Sequence, residues 1–165
     1  GGLPDGIVDT DMLAANAVSS AKLASGAGGK VVQVKQGVIT TSSSTSSGSF
    51  QSTGLSEGIT MTAASNKVLV FATGSLTNSS SGSGGAVTIF RGSTNLAPGG
   101  AGSDGISMFF GEDNSNNVEN AANLLILDAP GAGTHTYEVK VRAFNGTQGF
   151  GNRKTGVLVL VELAF

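Results

Sequence analysis

The sequence contains no cysteine and no tryptophan, one tyrosine and one histidine. Without cysteine there is no disulfide framework, no thiolate metal site and no cysteine nucleophile, and the redox compartment is left open. Charge is scarce as well: Asp, Glu, Lys and Arg make up 12% of the chain, about half the usual fraction. The 9 basic residues are spread from Lys22 to Lys154 and are outnumbered by 11 acidic ones. The concentrated basic footprint that nucleic acid requires is therefore missing. Apolar runs such as Val157 to Val161 and Leu124 to Leu127 fall far short of the ~20 residues that cross a bilayer as a helix. The amino end, GGLPDGIVD, has neither the basic start nor the apolar segment of a secretion signal. An extracellular composition without an export signal fits a protein released by cell lysis.

What the chain does have is glycine, 26 residues in 165, together with abundant Ser, Thr and Asn. Many tight turns and a hydroxyl- and amide-covered surface result from that composition, which suits a rigid extracellular or virion β-protein better than a cytosolic enzyme. Residues 6 to 25 hold a repeat of ten, GIVDTDMLAA then NAVSSAKLAS, which aligns Val8 with Val18 and Leu13 with Leu23. Two such copies cannot bury a core alone. Packed around a three-fold axis they form a short stalk, and a helix over Met12 to Leu23 capped by Asp11 is compatible with it. The predicted organisation is a stalk and Gly-rich hinge over 1–29, then one domain over 30–165.

Beyond the hinge, strands are predicted near 31–40, 48–54, 58–63, 67–76, 85–92, 105–111, 122–128, 135–144 and 155–164, separated by Gly, Ser and Asn clusters. The fold class is all-β, a jelly-roll-like antiparallel sandwich. In 137–143, Tyr137, Val139, Val141 and Ala143 alternate with Glu138, Lys140 and Arg142, one face for the core and one for solvent. VLVF (68–71), LLIL (124–127) and VLVLV (157–161) are instead apolar on both faces. A two-layer sandwich covers only one of those faces, so the second predicts oligomerisation, and a homotrimer agrees with the stalk. On β-branched preference Val157, Val159 and Val161 are assigned to the core and Leu158 and Leu160 to the trimer interface. Charging either leucine is then expected to dissociate the trimer.

Several strings carry a resemblance. They are Lys30-Val31, the Ser/Thr-rich Ser42 to Ser47, Thr53-Gly54-Leu55, Asn66-Lys67-Val68, Arg91-Gly92-Ser93-Thr94, Leu127-Asp128-Ala129-Pro130 and Thr136-Tyr137-Glu138-Val139. In this order, over about residues 7 to 164, they resemble the carboxy-terminal domain of tail-fibre and related virion fibre proteins of marine tailed bacteriophages. The decapeptide repeat resembles the Ala-Val-(Ser/Thr)-x-Ala-Lys-Leu units that precede such domains. The resemblance implies a non-enzymatic trimeric fibre tip on the virion that presents a face to the host surface, with other virion proteins joined on the N-terminal side and a host glycan or protein as receptor. The pattern departs at Gly151-Asn152-Arg153-Lys154, so no role is carried over to Asn152 or Arg153. A phage head fibre or capsid decoration protein shares the same expectations. An extracellular filament subunit with a donated N-terminal strand is an alternative of another class.

Candidate chemistry is thin. His135 lies in THTY with no serine singled out beside it, and reads as a strand-starting residue rather than part of a catalytic triad. GEDNSNNVEN (111–120) gathers Glu112, Asp113, Asn114, Asn116 and Asn117. These are oxygen donors of the kind calcium accepts, but they lack the Asp-x-Asp-x-Asp-Gly spacing. They are assigned to a receptor-facing loop, with no metal and no cofactor. Arg91-Gly92-Ser93-Thr94 reads as a hairpin turn rather than an anion nest.

Overall fold

The computed structural model of the chain describes residues 30–78, 84–97, 105–110, 119–151 and 155–165. The chain parts into two units, Gly1–Lys30 and Val31–Phe165, and the described strands belong to the second. The repeat, its stalk and the capped helix at Met12 to Leu23 lie outside the described residues.

The described residues form strands and connections only: β1 (Val31–Ile39), β2 (Ser43–Thr45), β3 (Gln51–Met61), β4 (Lys67–Asn78), β5 (Gly84–Arg91), β6 (Thr94–Asn95), β7 (Ser107–Phe110), β8 (Glu119–Asp128), β9 (Gly133–Asn145), β10 (Gln148–Phe150) and β11 (Gly156–Leu163). All their pairings are antiparallel. One sheet runs β1-β11-β4, with β8 on the far side of β4 and the short β10 and β2 continuing at one end; the other runs β3-β9-β5, with β6 and β7 on β5. An all-β antiparallel sandwich is therefore present.

Alternation explains β9. Tyr137, Val139, Val141 and Ala143 are buried while Glu138, Lys140 and Arg142 are not. Facing them across the core are Val68, Val70 and Ala72 of β4, Leu124 of β8, and Leu158 and Leu160 of β11. The two strands predicted at 48–54 and 58–63 are one, β3, interrupted between Ser52 and Ser56 by a register shift against β9. Gly54 takes φ +81° there, a conformation that favours glycine. The Thr53 hydroxyl donates to the Val139 carbonyl at 2.7 Å and accepts from the Leu55 amide at 3.2 Å. A side chain thus takes over the partners that the bulge removes from the ladder.

The face assignment within β11 is the reverse of the sequence-based one. Leu158 and Leu160 are fully buried in the core, whereas Val157, Val159 and Val161 lie half-buried on the outer face. The register supplies the reason. Leu158 sits opposite Ala72 and Leu160 opposite Val70, and these smaller inward side chains leave depth for leucine. Preference for a pleated surface carries no information about which side of it a residue faces.

Phe150 shows the same matching of sizes. Its ring is buried and fills core space left by two glycines. A Cβ on Gly156 would come 2.9 Å from the ring and 3.0 Å from Ile39, and one on Gly74 would fall within the ring's own contact surface. Gly74→Ala is expected to destabilise the domain by about 1–3 kcal/mol through overpacking, read as a lower thermal midpoint. Unchanged melting would show that the ring moves aside without cost.

Candidate functional surfaces

Two polar clusters lie within the sandwich. In the first, Arg91 donates to both carboxylate oxygens of Asp128, at 2.9 and 2.7 Å, and the Tyr137 hydroxyl donates to the same carboxylate at 2.7 Å. Burial, then the hydrogen bond to Asp128 and its charge, push the Tyr137 phenol well above its ordinary pKa, against the lowering effect of Arg91. Arg91 closes the β5–β6 hairpin, pairing with Thr94 across Gly92-Ser93, and Gly92 takes φ +56° and donates to the Thr136 carbonyl. That string is a hairpin turn, as its residues predict. Three of the strings that carry the resemblance, Arg91-Gly92-Ser93-Thr94, Leu127-Asp128-Ala129-Pro130 and Thr136-Tyr137-Glu138-Val139, thus meet in one clasp between the two sheets.

The second cluster is built on Glu162, which no motif in the sequence marks. Its carboxylate accepts from the Thr62 amide (2.8 Å), the Thr62 hydroxyl (2.7 Å), the Asn66 amide group (2.7 Å) and the Gln33 side chain. Desolvation raises the pKa of this group, and the hydrogen bonds from Gln33, Asn66 and Thr62 outweigh it, bringing it down to about 2. One signal could have found it: Glu162 continues the two-residue spacing of Leu158 and Leu160, so an acid falls in phase with the core.

In both clusters the acid is fully engaged by neighbouring donors. The Asp128 carboxylate is engaged by Arg91 and Tyr137, while His135 lies near the start of β9 with Nε2 3.3 Å from the Gly131 carbonyl oxygen. Among the described residues no group of three or more His, Asp or Glu is placed to hold a metal ion. Glu112, Asp113, Asn114, Asn116 and Asn117 lie outside the described residues, as do Asn152 and Arg153.

The two outer faces of the sandwich differ in chemistry. Across the β1-β11-β4-β8 sheet the register sets out three rows: Val34-Val161-Leu69-Leu127, Gln36-Val159-Phe71-Leu125 and Val38-Val157-Thr73-Asn123. These rows are apolar apart from Gln36, Thr73 and Asn123. Leu125 is 61% exposed and Val34 57%, so this is a continuous apolar surface rather than scattered side chains. The outer face of β3 and β9 instead presents Ser52, Ser56 and Thr136 beside Glu138, Lys140 and Arg142, whereas the outward Ala86 and Thr88 of β5 are fully buried.

The chain matches no protein-family model and no curated protein sequence.

Proposed function

We propose that this domain is the non-enzymatic head of a homotrimeric virion fibre, a jelly roll that packs one sheet against its copies and presents the rest to a host surface. The observation that carries this reading is the apolar outer face of β1-β11-β4-β8. Contiguous apolar surface of this kind is rare on monomers and marks an interaction site. An identical patch on each copy closes into a symmetric assembly. Leu125 and Leu127 are on β8, which has a ladder partner on one side only among the described residues; an open apolar edge of this kind is an aggregation hazard unless a neighbour covers it.

The jelly-roll assignment is supported by strand order. With the short β2, β6 and β10 left out, the eight remaining strands pair first with last and so on inward: β1 with β11, β3 with β9, β4 with β8, and β5 with β7. One long hairpin of eight strands rolled into two facing sheets has this connectivity. The virion assignment rests on the strings resembling phage fibre proteins. Those strings that fall in the bulge and the Asp128 clasp have structural work, so the resemblance speaks to architecture and leaves the receptor open.

The test is mass in solution. The wild-type chain is expected to sediment as three copies. Leu125→Glu combined with Phe71→Glu is expected to give a folded monomer, because both side chains are exposed in the single chain and contribute little to its own core. A monomeric wild type would overturn the proposal, as would a double variant that stays trimeric. Labelling intact particles with an antibody to the head distinguishes a tail fibre from a head fibre or capsid decoration.

A further inference from the structure

We propose that the outer face of β3 and β9, with Phe90 at the end of β5, binds acidic polysaccharide, holding sugar carboxylates with Arg142 and Lys140 and the apolar faces of sugar rings against Phe50, Phe90 and Phe144. This deepens the fibre-head reading and rests on it in one respect: if the apolar sheet is taken up by contacts between copies, this is the sheet left facing outward.

The observation is a cluster of aromatic and cationic side chains outside the core, on the outer side of β9 and its neighbours: Phe50, Phe90, Lys140 and Arg142 are part-exposed, and Phe144 is exposed. Phe50 and Phe90 meet edge to face, 5.6 Å between centroids at 63°. The Lys140 ammonium lies 4.5 Å from the centre of the Phe90 ring, and the Arg142 guanidinium lies 5.5 Å from Phe50 and 4.7 Å from Phe144. Phe144 is 39% exposed. A cation over one face of a ring is attracted to it and leaves the opposite face to a ligand. A pyranose ring presents a C–H face that stacks on such a ring, and a uronic-acid carboxylate matches a guanidinium in shape and charge.

Charge complementarity selects the acidic class. Glu138 lies 3.3 Å from Lys140, and Arg142, which also donates to the Gly48 carbonyl at 3.3 Å, adds a second cation on the same strand, in a chain whose net charge is −2. General attraction of polyanions to this protein is therefore not expected, and binding reports the local site. The neighbouring Ser52, Ser56 and Thr136 are exposed and supply hydroxyls for sugar hydroxyls. Each contact is small, and three copies on one particle multiply it by avidity.

The experiment uses the full chain and titrates alginate, a polyuronate, beside dextran, a neutral polysaccharide, and poly-L-glutamate, a carboxylate polymer without sugar rings. Alginate is expected to bind, dextran not, and polyglutamate at least tenfold more weakly than alginate. Arg142→Ala, Lys140→Gln and Phe144→Ser should each weaken alginate binding about tenfold with thermal midpoints retained. If Arg142→Ala fails to fold, the other two variants carry the comparison. No alginate binding, or polyglutamate bound equally well with Phe144→Ser unaffected, overturns the proposal. Mass measured on the same samples separates the two readings: a monomer that binds alginate refutes the trimer and leaves this site standing, and a trimer that ignores alginate does the opposite.

Discussion

Leu160→Glu should leave no folded domain at all, instead of the folded, dissociated subunit that an interface residue would give. Its side chain is fully buried and belongs to the central cluster together with Val70, Leu158 and Tyr137. A carboxylate there has no donor in place, and the cost of an unpaired buried ion runs to several kcal/mol, comparable with the whole stability of an ordinary domain at ~5–15 kcal/mol. Leu160→Ala, which only opens a cavity, should cost about 2–5 kcal/mol and still fold. Circular dichroism and chemical denaturation separate the outcomes. A soluble, cooperatively folding monomer from Leu160→Glu would restore the leucine face to the surface and the valines to the core.

The second large effect is expected at Glu162, and it is pH-dependent. The carboxyl is held down at about 2, whereas its ordinary value is 4.5. A carboxyl whose pKa is lower folded than unfolded adds stability that is fully present above the unfolded value and disappears as pH falls through the folded one. The domain should therefore lose stability between about pH 5 and pH 2. Glu162→Gln keeps the shape but puts an amide where the Thr62 amide, the Thr62 hydroxyl, Asn66 and Gln33 all donate. It should destabilise the domain at pH 7 by roughly 1–3 kcal/mol and flatten the acid limb of a stability-against-pH curve. A variant with the wild-type acid limb would mean that another carboxylate governs acid unfolding.

Legibility of the fold in the sequence varies with the element. β9 is legible because its alternation leaves one choice of face, and the strand near 67–76 because turn formers stand at both ends, Ser65-Asn66 before it and Asn78-Ser79-Ser80 after it. β3 reads as two strands, since Thr53-Gly54-Leu55 looks like a turn in one dimension. Only the third dimension shows the Thr53 hydroxyl bridging to β9. The faces of β11 cannot be read from VLVLV itself, because both phases are apolar and the choice is made by what lies opposite, Ala72 and Val70. β2, β6 and β10 are two or three residues long, too short for any period, and exist because neighbouring strands offer them a ladder. The clasp at Asp128 is present as three separate strings whose meeting depends on tertiary pairing. The candidate loop residues from Glu112 to Asn117 lie outside the described residues, and the proposed binding surface is a strand face instead.

The order in which this sheet is assembled is dictated by where β11 stands in it. β11 lies between β1 and β4, and it is the strand to which β1 is hydrogen-bonded. It is also the last of the eleven described strands to be synthesised. Until residue 163 has cleared the ribosome, β1 and β4 face each other across a vacant position, and the core lacks Leu158, Leu160 and the acid that ties Thr62 and Asn66. The sheet is thus closed by joining segments more than a hundred residues apart, the kind of pairing that folds slowly and exposes apolar edges meanwhile. A nascent domain of this topology cannot close piecemeal as it emerges. It waits for its last strand, and during that interval Val34, Leu125 and Leu127 of one chain stand open to the same residues of its neighbours on the polysome. For a domain that assembles through this face, as proposed, association of copies and folding of each copy would compete for the same surfaces at the same time.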